Sequence, residues 1–135
     1  MQTPLYTTHV NGHPVRYFRA DDGGLPRHAF LDLLDAVVLP EDAKLMFLRM
    51  VRNGQWKDDT QVIPTPTGPV VTAPHFMAQG FIGALGELGM NNDLIDRAYT
   101  EGLTSACDTL MGDLPPQARF EAIISMGRKH LRVGQ

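Results

Sequence analysis

Few side chains in this sequence are suited to chemistry, and their spacing is sparse. The histidines are His9, His13, His28, His75 and His130, and the one cysteine is Cys107. None of the histidines forms an H-x-x-x-H or H-E-x-x-H pair on an expected helix, the spacing that puts two metal ligands on one face. His9 and His13 flank an Asn11-Gly12 turn and could face each other across it, but a metal there needs a third ligand. His75 follows Pro74 at the start of a helix, where backbone N–H groups disfavour a charged imidazole. It reads as a partly buried, hydrogen-bonded structural histidine. Cys107 follows Ser105-Ala106 inside a helical stretch beside Asp108. A nucleophilic thiolate needs a base and an electropositive niche, so this cysteine reads as a small buried hydrophobe. The carboxylate pairs Asp21-Asp22, Asp58-Asp59 and Asp93/Asp96 fall in turns or at a helix start, where acids serve local structure. Phosphate-binding glycine loops and the nucleophile-elbow motif do not occur. The expectation is a non-catalytic protein with no cofactor and no metal.

The cations are more informative. Lys44, Arg49, Arg52 and Lys57 follow one another with no acid between them, and Asn53 and Trp56 lie beside them. Arg49 and Arg52 stand at i and i+3, hence on one helix face. Such a basic helix end with an aromatic and an amide suits phosphate or an acidic protein surface. Its plainer role is to complement a helix C-terminus and to pair with Asp58 and Asp59. A second cluster, Arg128, Lys129 and Arg132 with His130 between, admits the same two readings. The whole chain has 12 Lys+Arg against 15 Asp+Glu, a net charge of −3. That balance argues against a dedicated nucleic-acid binder, whose affinity comes from neutralising phosphates.

These residues must be positioned by elements that the pattern also suggests. Tyr6–Val10 and Val15–Arg19 read as strands around Asn11-Gly12, the dipeptide best suited to a tight hairpin turn. A very short third strand is expected at Leu25–Arg27. Phe30, Leu33, Leu34, Val37 and Val38 make one apolar stripe of a helix that Pro40 ends. Glu41 and Asp42 open the next helix, which runs to Asn53-Gly54. Leu45, Met46, Phe47, Leu48, Met50 and Val51 mark it as the central, most buried one. Gln61–Pro64 and Val70–Ala73 read as a second, edge-exposed ribbon. Helices follow from Pro74 to Leu88, from Asn92 to Met111 and from Pro116 to Arg132. The first of these contains Gly80, Gly83 and Gly86, a flat face that another backbone can approach closely.

Length and composition bound the rest. The chain has 135 residues, 43% hydrophobic and 20% charged. That fits one domain, with a mixed β/α portion over 6–73 and a helical portion over 74–132. One cysteine excludes an intrachain disulfide. No apolar run approaches the ~18–20 residues of a membrane span, and Met1 to Tyr6 has no signal-peptide character. The expectation is a cytoplasmic protein without a membrane partner. Its fold class is α+β, two short antiparallel ribbons packed against four or five helices.

Read together, Val10-Asn-Gly-His-Pro-Val-Arg-Tyr-Phe18, then Asp22-Gly23, then Ala29-Phe-Leu-Asp-Leu-Leu-Asp-Ala-Val37, form an ordered set of signals. The ribbon of Thr60–Ile63 and Val70–Thr72 then leads into the helix at Phe76–Leu88. This order resembles the Bro-N domain of phage antirepressors and viral Bro proteins, over about residues 6–110. The family usually has an aromatic pair where this chain has Leu25-Pro26-Arg27. The resemblance implies a regulatory setting in a phage or mobile element, and either DNA binding or capture of a repressor. The function expected is a non-catalytic regulatory module that binds and inhibits or modulates a protein partner. DNA-binding transcription regulation is the second reading, with weak or absent affinity for random duplex, and a small-molecule enzyme the third. Spare apolar stripes on the last two helices and the glycine face suggest a homodimer using residues between Phe76 and Leu131.

Overall fold

Asn11 and Gly12 both adopt positive φ, 52° and 77°. That conformation matches the right-handed twist of the flanking strands, so it closes a tight hairpin. β1 (Tyr6–Val10) and β2 (His13–Phe18) pair across it, with Val10 opposite His13 and His9 opposite Pro14. His9 and His13 are therefore not cross-strand partners. The structure, a computed structural model, describes residues 1–54 and 56–132, with side chains as far as Lys129.

β4 (Gln61–Thr65) and β5 (Gly68–Ala73) form the second ribbon. The two ribbons are not separate. β3 (Arg27–Ala29), two residues later than the strand expected at Leu25–Arg27, pairs with Tyr17 and Phe18 on one side and with Thr72 and Ala73 on the other. The result is one antiparallel sheet in the order β1-β2-β3-β5-β4. β3 is too short to reach Pro14 or Pro69, so their missing N–H groups remove no bond to it.

The helices are α1 (Phe30–Asp35), α2 (Glu41–Arg52), α3 (His75–Glu87), α4 (Asp93–Met111) and α5 (Pro116–Arg132), with a 3-10 turn at Lys57–Asp59. The chain thus has an α+β fold. α1 stops short of Val38, which is 91% exposed. The N–H of Ala36 is shared between the carbonyls of Asp32 and Leu33, and that of Val37 bonds to Leu34. This tightening ends the helix before Pro40 bars the α conformation to Leu39.

The helix expected to be central, α2, is less buried than α3. α3 buries Met77, Ala78, Phe81, Ile82 and Leu85, whereas α2 buries Phe47 and Val51. Phe81 meets Phe47 edge to face at 4.9 Å and Phe30 at 5.8 Å. Each large side chain so buried stabilises by roughly 1.5–3 kcal/mol, which outweighs a cost of about 1 kcal/mol for each interior glycine. α2 is apolar over much of its girth, but a helix lying at the edge of a core can bury only one side.

Tyr17 and Phe18 are adjacent in β2 and point to opposite faces of the sheet. Tyr17 belongs to the large core that also takes in α1–α4 and Met126 of α5. Phe18 joins Ala29, Ile63 and Val70 in a small second cluster. α4 crosses β1 and β2 at Gly102, where an added Cβ would stand 2.6 Å from the Tyr17 hydroxyl and 2.8 Å from the Thr8 methyl. Within the chain, the close approach is thus made at Gly102 and not at Gly80, Gly83 or Gly86. Those three lie on the exposed side of α3: Gly80 faces the Trp56 ring at 3.8 Å, Gly86 faces the Asn92 amide at 3.3 Å, and nothing lies within 4 Å of Gly83.

Candidate functional site

Along α2 the buried residues Phe47 and Val51 define an inner side, so the residues half a turn away face water. Those are Leu45, Met46, Arg49, Arg52 and Asn53, all exposed. Leu45 is 42% and Met46 45% exposed. An open groove of about 320 Å³ runs along this side, lined by Met46, Arg49, Met50, Asn53 and Gly54. Gly54 is required there: a Cβ would fall 2.8 Å from the Met50 backbone. Its N–H bonds to the Arg49 carbonyl and finishes the helix.

The cations expected to act together have different surroundings. Lys44 is held by Asp35 of α1 at 3.0 Å. Arg49, Arg52 and Lys57 are exposed and form no ion pair among the described residues, with Asp58 and Asp59 or otherwise. Trp56 is half-buried against Gly80 and the core, so it anchors the α2–β4 connection to α3 and is not a free aromatic platform. The second cluster does not join the first. Arg128 is exposed, while the Lys129 ammonium donates to the Asp22 carbonyl and ties α5 to the β2–β3 turn. The Arg132 side chain and Leu131 side chain lie outside the described residues.

A second polar group is internal. His28 of β3 is fully buried, and neither ring nitrogen has a hydrogen-bond partner among the described residues. It stands edge-on to Tyr99 at 5.5 Å between ring centres. Burial, with Arg27 and His75 adding repulsion, pushes its pKa down to about 3. His75 stacks on Tyr99 and its Nδ1 lies 3.0 Å from the Tyr99 hydroxyl. The Tyr17 hydroxyl donates to the Tyr99 carbonyl at 2.7 Å. Burial raises the pKa of both tyrosines. The space beside His75, lined also by Asp22, Arg27 and Lys129, is only about 30 Å³, room for a single water. This network positions strands and helices against one another. Cys107 is buried with its thiol pKa raised, again by burial.

Two residues that sequence reasoning gave no role join the first hairpin to α1. Arg16 of the hairpin grips Asp32 of α1 in a bidentate pair, Nε to Oδ2 at 2.8 Å and a second guanidinium N–H to Oδ1 at 3.0 Å. The Arg16 backbone N–H also donates to Oδ2. The signal was present, since Asp32 lies off the apolar stripe and must face something polar. Asn92 precedes α4 without capping it through its side chain: its amide donates to the Ile82 carbonyl of α3, and Asn91 accepts from the Asp93 N–H. No protein-family model, curated protein or solved structure matches the chain. No described helix is long and apolar enough to cross a membrane.

Proposed function

We propose that the chain is a non-catalytic regulatory module that binds a protein partner through the outer side of α2. The observation that carries this reading is the exposure of Leu45 and Met46 beside Arg49 and Arg52 on one helix. Apolar side chains left in water gain free energy when covered, and the two guanidinium groups select an acidic surface. The partner feature it fits is an amphipathic acidic segment laid along the groove. The order of hairpin, helix, ribbon and helix, similar to that of Bro-N domains, supports an antirepressor-like role for such binding. The exposed Arg49, Arg52 and Lys57 favour duplex DNA as the second reading.

The test is affinity capture from extract of the native host, with the full chain and with Met46→Asp/Arg49→Glu as paired baits. Both positions are exposed, so the variant keeps its helix content by circular dichroism. A protein retained by the wild type and lost from the variant is the expected result. A protein retained equally by both, or recovery only of nucleic acid, overturns the α2 reading.

A further inference from the structure

The structure assigns a self-association surface to the outer side of α5, where two copies of this chain pair antiparallel about a two-fold axis near Ile124. This inference is independent of the α2 reading and rests on a different helix. α5 holds to the body along one side through Ala122 and Met126, with Arg119 bonded to Asp108 and the Gly112 carbonyl. Half a turn away the helix turns to solvent, and there the sequence is apolar where a free helix would be charged. Phe120, Ile123 and Ile124 are 65%, 47% and 42% exposed. Gly127 continues the same row, at i+7 from Phe120, with nothing within 4 Å of the place a Cβ would take.

The occupant follows from the charges on the flank of this row. At 100° per residue, Glu121 and Arg128 lie on the same flank, seven residues apart, and both are exposed. In an antiparallel helix pair related by a two-fold axis, each flank meets the same flank of its mate. Crossing near Ile124 then sets Glu121 of each copy beside Arg128 of the other, twice over. The same crossing lays Phe120 of one copy over Gly127 of the second, large side chain against bare backbone. A parallel pair would set that flank against the opposite one, which carries Ile123 in place of a complementary charge. The surface is thus self-complementary in the way a two-fold interface requires. One helix face is small beside the ~1,600 Å² of a standard interface, so the dimer forms in the micromolar range or weaker.

Sedimentation velocity of the full chain across micromolar to several hundred micromolar concentration tests this. The expected mass rises from 14.9 kDa toward twice that value. Ile124→Glu should remain monomeric with unchanged circular dichroism. Glu121→Arg and Arg128→Glu should each weaken the dimer at least about tenfold, because like charges then meet at both contacts. An equimolar mixture of those two variants should recover wild-type association, since opposite charges meet again. A single 14.9 kDa species throughout, or dimerisation of Ile124→Glu like the wild type, overturns the surface. Charge reversals without effect, or a mixture no stronger than its components, overturn the antiparallel pairing.

Discussion

His28 is a buried imidazole that must stay neutral, and the fold bears a cost for it under acid. Its pKa of about 3 lies below the value near 6.5 of an unfolded histidine. The unfolded chain therefore binds the extra proton first. The stability of the folded state is unaffected above pH 6.5 and falls as the pH drops from there toward 3. The slope due to this one group is about 1.4 kcal/mol per pH unit. His28→Phe offers a ring of similar volume with no polar atoms to leave unmatched. It should fold, lose that part of the acid slope, and be more stable than the wild type at pH 5. Urea melts of both proteins at pH 7.5 and pH 5 decide it, and an unchanged pH dependence would sink the assignment.

Two glycines of similar helical setting should respond oppositely to alanine. Gly83 is exposed on α3 with open space at the Cβ position. Gly83→Ala removes backbone freedom from the unfolded chain at no steric cost, and should stabilise by about 1 kcal/mol. Gly102 lies where α4 crosses β1 and β2, and a Cβ there would meet the buried Tyr17 ring 2.7 Å away. Gly102→Ala should destabilise by roughly 1–3 kcal/mol as Tyr17 is pushed off the Tyr99 carbonyl. Thermal unfolding of the two variants beside the wild type measures both; equal shifts would mean that α4 does not cross the hairpin so closely. Helix periodicity places both glycines inside helices and cannot tell them apart, because the difference comes from a strand about 85 residues away in sequence.

The whole molecule carries a net charge of −3, and the fold disperses its cations. Of the four between Lys44 and Lys57, Lys44 is taken by Asp35. Lys129 is tied to the β2–β3 turn, away from the α2 groove. The three that remain exposed in that group, Arg49, Arg52 and Lys57, release few counterions from duplex DNA. Binding to random duplex at physiological salt should be weaker than about 1 μM, with a log–log salt slope no steeper than about −3. Anisotropy titrations at two salt concentrations read this directly. Submicromolar affinity with a steep slope, abolished by Arg49→Ala/Arg52→Ala, would make DNA regulation the function in place of a protein partner.

Local signals in the chain were enough to determine the hairpin at Asn11-Gly12, the proline-marked ribbon and a count of four or five helices. Turn chemistry and apolar spacing act within a few residues, so they are written where they operate. The basic face of α2 was legible for the same reason, as Arg49 and Arg52 share a helix side by spacing alone. That α2 lies at the edge of the core was not, because α2 and α3 are both apolar and only their placement in the fold separates them. β3 is three residues long, and its role in fusing two ribbons depends on partners about 10 and 45 residues away. The burial of His28, the pairing of Arg16 with Asp32 and the exposure of Phe120, Ile123 and Ile124 were decided by the tertiary structure. Burial is a property of what packs against a residue, and no local pattern encodes which of several apolar faces the core will use.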